Sequence, residues 1–180
     1  QYANENTWPD VEKDHAAVIT YLDHYVGDII QTLQKLHIDN NTLIIFASDN
    51  GAHLEGGHDY KFFNSTGGLK GHKRSLFEGG VRSPTLIRWP NVVKPNQVSN
   101  LQFGFFDILP TLCDIGGCFE SLPKDLDGIS IYNELKGEPQ EDHEYIMFTW
   151  NGLGVPPIIQ STSNNINLLS KSGYSIRIGN

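Results

Sequence analysis

Cysteine is scarce: Cys113 and Cys118 are the two thiols of a 180-residue chain. Two are too few for a disulfide framework, and neither sits in a zinc-site pattern. Cations are in short supply as well. Lys and Arg number 13 against 21 Asp and Glu, a net charge of -8. That deficit excludes general nucleic-acid or anionic-membrane binding, which needs a basic surface, but leaves room for one local basic pocket. Long apolar runs are missing too. The longest unbroken stretch, Leu43 to Ala47, is strand-sized and well short of the ~18–20 residues of a membrane span. The sequence shows no internal repeat, and it opens at Gln1 with neither an initiator Met nor a charged-then-apolar leader. The expectation is a processed or cut piece, with targeting out of view.

What is present describes a soluble globular chain: 38% hydrophobic and 19% charged residues, with a mean hydropathy of -0.33. This composition excludes a coiled coil, a collagen-like repeat and a disordered tail. The length suits one domain of ordinary size, able to bury roughly 70% of its surface, with room for a small appendage.

After a lead-in loop around Trp8-Pro9-Asp10, apolar residues recur at Val18, Ile19, Leu22, Tyr25, Val26, Ile29, Ile30, Leu33 and Leu36. Spacings of three and four predict an amphipathic helix from about His15 to Leu36, stopped by Asp39-Asn40-Asn41. Leu43 to Ala47 then reads as a strand covered on both faces. Helix, short turn and buried strand make half of an α/β unit. Residues 51 to 80 are rich in glycine, interleaved with His53, His58, His72, Lys70, Lys73 and Arg74, and a loop this long is usually functional. A second strand is expected at Thr85 to Trp89. Phe103 to Asp114 reads as a short helix with Asp107 facing out and Phe106, Leu109 and Leu112 facing in. Pro110 in its middle requires a first turn or a break. Tyr145 to Trp150 and Tyr174 to Ile178 read as further strands.

Two local features carry chemistry. Ser48-Asp49-Asn50-Gly51 follows the buried strand, where open α/β sheets place their ligand crevice. A carboxylate and a carboxamide oxygen there are hard ligands suited to Ca²⁺ or Mg²⁺. The competing reading, a plain Asn-Gly hairpin, needs an alternating strand straight afterwards, and Ala52 to Gly57 is not one. The second feature is Lys70-Gly71-His72-Lys73-Arg74, leading to Phe77-Glu78-Gly79-Gly80-Val81-Arg82. Cations on a glycine-rich loop suit a tetrahedral oxyanion. A solvated basic loop is the plainer reading of such a short Lys/Arg cluster, and Glu78 can partner Arg82 or a backbone amide. His15, His24 and His37 read as surface residues, whereas His53, His58 and His72 lie where proton transfer or anion contact is feasible.

Leu22-Asp23 with Val26-Gly27, Asn41 through Gly51, Gly71 through Pro84, Phe106 through Leu112 and Asp127 through Ser130 occur in one order. Together, over about residues 15 to 137, they resemble the second half of the catalytic domain of a type I, formylglycine-dependent sulfatase. Glu55-Gly56-Gly57-His58 and Phe62-Phe63-Asn64-Ser65 are similar to a polysaccharide-acting bacterial branch. The resemblance implies an α/β fold, part of an α/β/α sandwich of alkaline-phosphatase-like type, with strands of a small C-terminal subdomain. Residues 1–137 would form the distal half of the catalytic domain and 138–180 the start of that subdomain.

It further implies a Ca²⁺ site, Mg²⁺ being the lesser alternative, with Asp49 and Asn50 as two ligands. Lys73, five residues before Glu78, takes the place of the lysine on the sulfate group and bridging oxygen. His53 falls on the leaving-group side, and Lys73, His53 and His72 are the expected substrate contacts. The formylglycine nucleophile forms from Cys or Ser in a Cys/Ser-x-Pro-x-Arg context. Cys113, before Asp114-Ile115-Gly116-Gly117, and Cys118, before Phe119-Glu120-Ser121-Leu122, do not fit it; they read as buried thiols or a disulfide. The acid histidine and the other metal ligands precede Gln1 in the family order. The expected activity is therefore hydrolysis of sulfate esters, on a sulfated small molecule or carbohydrate, by a longer parent. The 180 residues alone are expected to be inactive unless the missing N-terminal half joins them. Periplasmic or secreted location follows from the family alone, with no nucleic-acid or membrane partner. Two other readings stand beside this one: a phosphomonoester or phosphonate hydrolase of the same superfamily, and a non-catalytic anion- or carbohydrate-binding module.

Overall fold

The apolar period beginning at Val18 folds as the helix it predicts. In the computed structural model, which describes residues 1–150 and 173–178, helix α1 runs Asp10–Lys35. It begins a turn earlier than the periodicity requires. Pro9 precedes it, and Asp10 and Glu12 in the first turn face the positive end of the helix dipole, with Lys35 at the other end. The stop comes before Asp39. His37 takes a left-handed φ of 56°, and Ile38 N and His37 N donate to the carbonyls of Leu33 (3.1 Å) and Gln34 (3.0 Å), a Schellman ending. Asp39–Asn41 forms a 3₁₀ turn, and Arg88 donates to Asp39 at 3.2 Å.

Strand β1 (Ile44–Ala47) pairs antiparallel with β2 (Thr85–Arg88), Ile44 opposite Arg88 and Ala47 opposite Thr85. The glycine-rich segment is thus an excursion whose two ends are held side by side. The pairing extends past the strands, with Ser48 N on the Pro84 carbonyl at 3.3 Å and Gly51 N on that of Gly80 at 2.9 Å. All four β1 residues are half-buried, so the expected cover on both faces is not supplied by the described residues. The same holds for α1, whose Val18, Ile19, Leu22, Tyr25 and Ile29 are all exposed. Among the described residues only Ile131, Leu135 and Ile146 are fully buried hydrophobics.

The 3₁₀ turn Phe105–Asp107 runs into α3 (Ile108–Ile115), which places Pro110 in the first turn, where its missing N–H costs nothing. The expected facing of this segment is reversed. Asp107 is fully buried, while Phe106, Leu109 and Leu112 are exposed. The reason is polar. Asp107 accepts hydrogen bonds from Gly104 N (2.8 Å) and Ile129 N (2.8 Å), and His143 Nε2 donates to it at 2.9 Å. Thr111 Oγ1 donates to the Asp107 carbonyl and accepts from Ile131 N, docking α3 on the segment that leads into α4 (Tyr132–Lys136). Gly128 packs where a Cβ would lie 2.1 Å from the Phe106 carbonyl oxygen, so no larger residue fits.

Both expected strands form, β3 as Ile146–Trp150 and β4 as Gly173–Arg177, and they pair antiparallel. Residues 151–172 of the expected C-terminal segment lie outside the described residues. Arg177 donates to Glu78, tying β4 to the glycine-rich excursion.

Candidate active site

The excursion is drawn together by backbone contacts that only glycine permits. A Cβ on Gly51 would lie 1.9 Å from the Gly79 carbonyl oxygen, and one on Gly80 would lie 2.2 Å from that of Ser75. Gly79 and Gly80 sit in α2 (Glu78–Val81), a single turn. Gly79 N donates to the Lys70 carbonyl at 2.8 Å, and Lys73 N to that of Ala52 at 2.7 Å. The turn after β1 and the cationic loop, twenty residues apart in sequence, are therefore adjacent in space.

Asp49 is exposed and Asn50 half-buried at the mouth of β1. Asn50 Nδ2 donates to Asp49 Oδ1 at 2.8 Å, which leaves Asp49 Oδ2 and Asn50 Oδ1 as acceptors. Ser48 Oγ on the Asn50 carbonyl and Ser83 Oγ on the Ser48 carbonyl, both 2.8 Å, fix the turn. Two adjacent hard oxygens facing outward fit a hard divalent cation, which takes six to eight such ligands. Among the described residues no group of three or more His, Cys, Asp or Glu is placed to hold a metal.

Lys73 Nζ donates to Glu55 Oε2 at 3.0 Å, and Arg74 meets Glu55 Oε1 at 2.5 Å. The Lys73 hydrogen bond holds the Glu55 carboxyl below its ordinary range against partial burial, with Arg74 adding to the effect. Arg74 occupies a left-handed φ of 71°, a cost that this shared carboxylate helps to offset. His53 Nδ1 accepts from Glu55 N at 3.0 Å, so in the neutral ring the proton resides on Nε2. His72 Nδ1 donates to the Lys73 carbonyl at 2.9 Å, and its ring lies 5.2 Å from that of Tyr60. Glu78, left open by the sequence, partners Arg82 at 3.4 Å as well as Arg177.

Sequence reasoning missed a support beneath these residues. Glu12 and His58 form a buried pair, Oε2 to Nδ1 at 2.6 Å, and Glu12 Oε1 accepts from Asp59 N at 2.9 Å. His15 is not the surface residue expected. Its ring stacks on His58 at 3.8 Å and meets His53 edge-on at 5.7 Å. Trp8 and Phe63 flank this group, 5.0 Å apart. The fragment Glu55-Gly56-Gly57-His58 carried a signal, since Gly56 and Gly57 both take positive φ and turn His58 back onto α1. Glu12 carried none, because its partners lie more than forty residues downstream.

A family model described as Sulfatase matches residues 2–118. The chain belongs to the sulfatase family. Human steryl-sulfatase is 36% identical over 135 residues, covering 72% of this chain and 23% of that protein. The N-acetylgalactosamine-6-O-sulfatase of Bacteroides thetaiotaomicron is 36% identical over 138 residues, covering 72% of this chain and 26% of that protein. Among solved structures, Ps i-CgsB in complex with a neocarrahexaose superposes with a TM-score of 0.63 at 30% identity, over 74% of this chain and 28% of that one. The sulfatase chain thus spans about a quarter of the length of the relatives it matches. Its fold is a partial α/β domain of the alkaline-phosphatase-like sulfatases. Sulfatases are generally metal-dependent. Among the described residues no helix is long and apolar enough to cross a membrane.

Proposed function

We propose that this chain carries the distal half of a sulfatase active site and that the protein containing it hydrolyses sulfate esters on a sulfated carbohydrate. The observation that carries the reading is the Lys73 N hydrogen bond to the Ala52 carbonyl at 2.7 Å, which sets the cationic loop against the Asp49-Asn50 turn. Carbohydrate as substrate class is supported by the saccharide-bound solved relative. On this reading residues 1–137 belong to the catalytic domain and 138–180 begin a C-terminal subdomain. The protein works in the periplasm or outside the cell.

Each residue then has a role that its geometry supports. Lys73 neutralises charge on the sulfo group and on the bridging oxygen as the ester bond breaks, a stabilisation that counts for most in a water-poor site. To do so it exchanges Glu55 for substrate, while Arg74 keeps Glu55 in place. His53, with its proton on Nε2, can donate a hydrogen bond on the leaving-group side. His72, anchored through Nδ1, helps to line the substrate site. Asp49 Oδ2 and Asn50 Oδ1 would hold Ca²⁺, which supplies Lewis-acid polarisation of the sulfo oxygens when bound. Neither Cys113 nor Cys118 lies in the context from which formylglycine forms, so the nucleophile comes from outside these residues.

Lys73→Ala in the intact protein tests this reading. Sulfate release from an aryl sulfate should fall about 100-fold or more in kcat/KM, with the melting temperature little changed. Undiminished turnover would overturn the role of Lys73 and, with it, the site.

A further inference from the structure

The C-terminal end of α3 brings the two cysteines together. Gly117 takes a left-handed φ of 70°. Cys118 N donates to the Cys113 carbonyl at 2.8 Å, and Gly117 N to that of Asp114 at 3.2 Å. These two bonds define a Schellman motif, which sets the third helical residue from the end against the residue two beyond the Gly116 cap. In most helices that contact joins two hydrophobes. Here it joins two thiols. The neighbouring Cys118 thiol, with burial, pushes the Cys113 pKa above its ordinary value.

The backbone bond also bounds the geometry. A 2.8 Å contact, one N–Cα bond and the span from a carbonyl oxygen to its own Cα together limit the Cα–Cα separation to about 6.7 Å. Disulfides form at separations of roughly 4.4–6.8 Å. The backbone contact therefore keeps the pair within the Cα range of a bridge. Both residues are accessible in the required order, Cys118 exposed and Cys113 half-buried behind it.

We propose that Cys113 and Cys118 form a thiol–disulfide exchange site that closes into an intramolecular disulfide on meeting a small-molecule disulfide. The Cys118 thiolate attacks one sulfur of that oxidant, breaking its S–S bond and releasing one thiol. Cys113 then gives its proton to solvent and attacks the Cys118 sulfur of the mixed disulfide, expelling the second thiol. Two protein thiols are oxidised and one external disulfide is reduced to two thiols. The closed bridge pins the Schellman turn beside Asp114, which accepts from Ser130 Oγ at 2.6 Å.

The test exposes the intact protein to oxidised glutathione, quenches with acid and an alkylating agent, and maps tryptic peptides without reduction. No Lys or Arg lies between Cys113 and Cys118, and Lys94 precedes a proline, so the tryptic peptide from Trp89 to Lys124 carries both cysteines. The expected product is this peptide lighter by two hydrogens, with no alkyl group and no glutathione. A doubly alkylated peptide, a stable glutathione adduct on Cys118 or a cross-link to a second chain would each overturn the proposal. In Cys113→Ser the glutathione should remain on Cys118. A Cys113→Ser peptide without that adduct would remove Cys118 as the entry thiol and overturn the stated order of attack.

Discussion

Among the described residues, Glu12 and His58 are two of the few buried polar side chains, 2% and 4% exposed. They meet across forty-six positions of sequence. Burial alone would raise the Glu12 carboxyl, but the Asp59 amide and His58 outweigh it and leave the pKa below the ordinary 4.5. For His15, burial and then the neighbouring His58 and His53 rings push the pKa below 6.5, with Glu12 opposing. Both shifts act in one direction. A lowered carboxyl contributes stability that is present above its unfolded value and lost as pH falls through the folded one. A lowered histidine resists a proton that the unfolded chain accepts, so stability also declines as pH drops below 6.5. The urea midpoint of the intact protein should therefore fall between about pH 7.5 and about pH 4, and Glu12→Gln should flatten the most acidic part of that fall. A midpoint that rises toward acid would contradict the assignment of this group as the support beneath His53 and Glu55.

At the level of elements, α3 tests how polar contacts set orientation. A helical projection of Phe103 to Asp114 places Asp107 outward, because the projection sees only near neighbours. Asp107 instead turns inward to the Ile129 amide and to His143, thirty-six residues away. Asp107→Ala should strand these donors in a buried site and cost about 2 kcal/mol or more, measured by denaturant unfolding; a loss within error would mean that water replaces the carboxylate. Other elements were legible. The period of α1 and the apolar runs of β1 and β2 depend on neighbours three or four positions away, or on strand alternation, so sequence carried them. The backbone adjacency of the turn after β1 and the cationic loop was legible through ordered motifs and glycines. The Glu55 clamp on Lys73 and Arg74 was not, since an isolated Glu before Gly56-Gly57 has no periodic signature.

For the whole molecule, the apolar stripe of α1 and the half-buried β1 are faces awaiting cover. A chain that spans a quarter of its relatives leaves such faces bare if the covering layers belong to the remaining three quarters. Residues 1–180 prepared alone should bind an environment-sensitive dye such as ANS strongly and release no sulfate at steady state, whereas the intact protein should bind little dye. Turnover by the isolated segment would mean that its own residues complete the site.

The Glu55 clamp has a bearing on selectivity. With Lys73 and Arg74 already gripping a resident carboxylate, the cationic loop of the proposed site would keep its shape between turnovers. A newcomer must outcompete a tethered rival, and a weakly charged or neutral sugar has no means to do so. On the proposed reading, the loop would act as a threshold that admits strongly anionic groups and passes over uncharged saccharides.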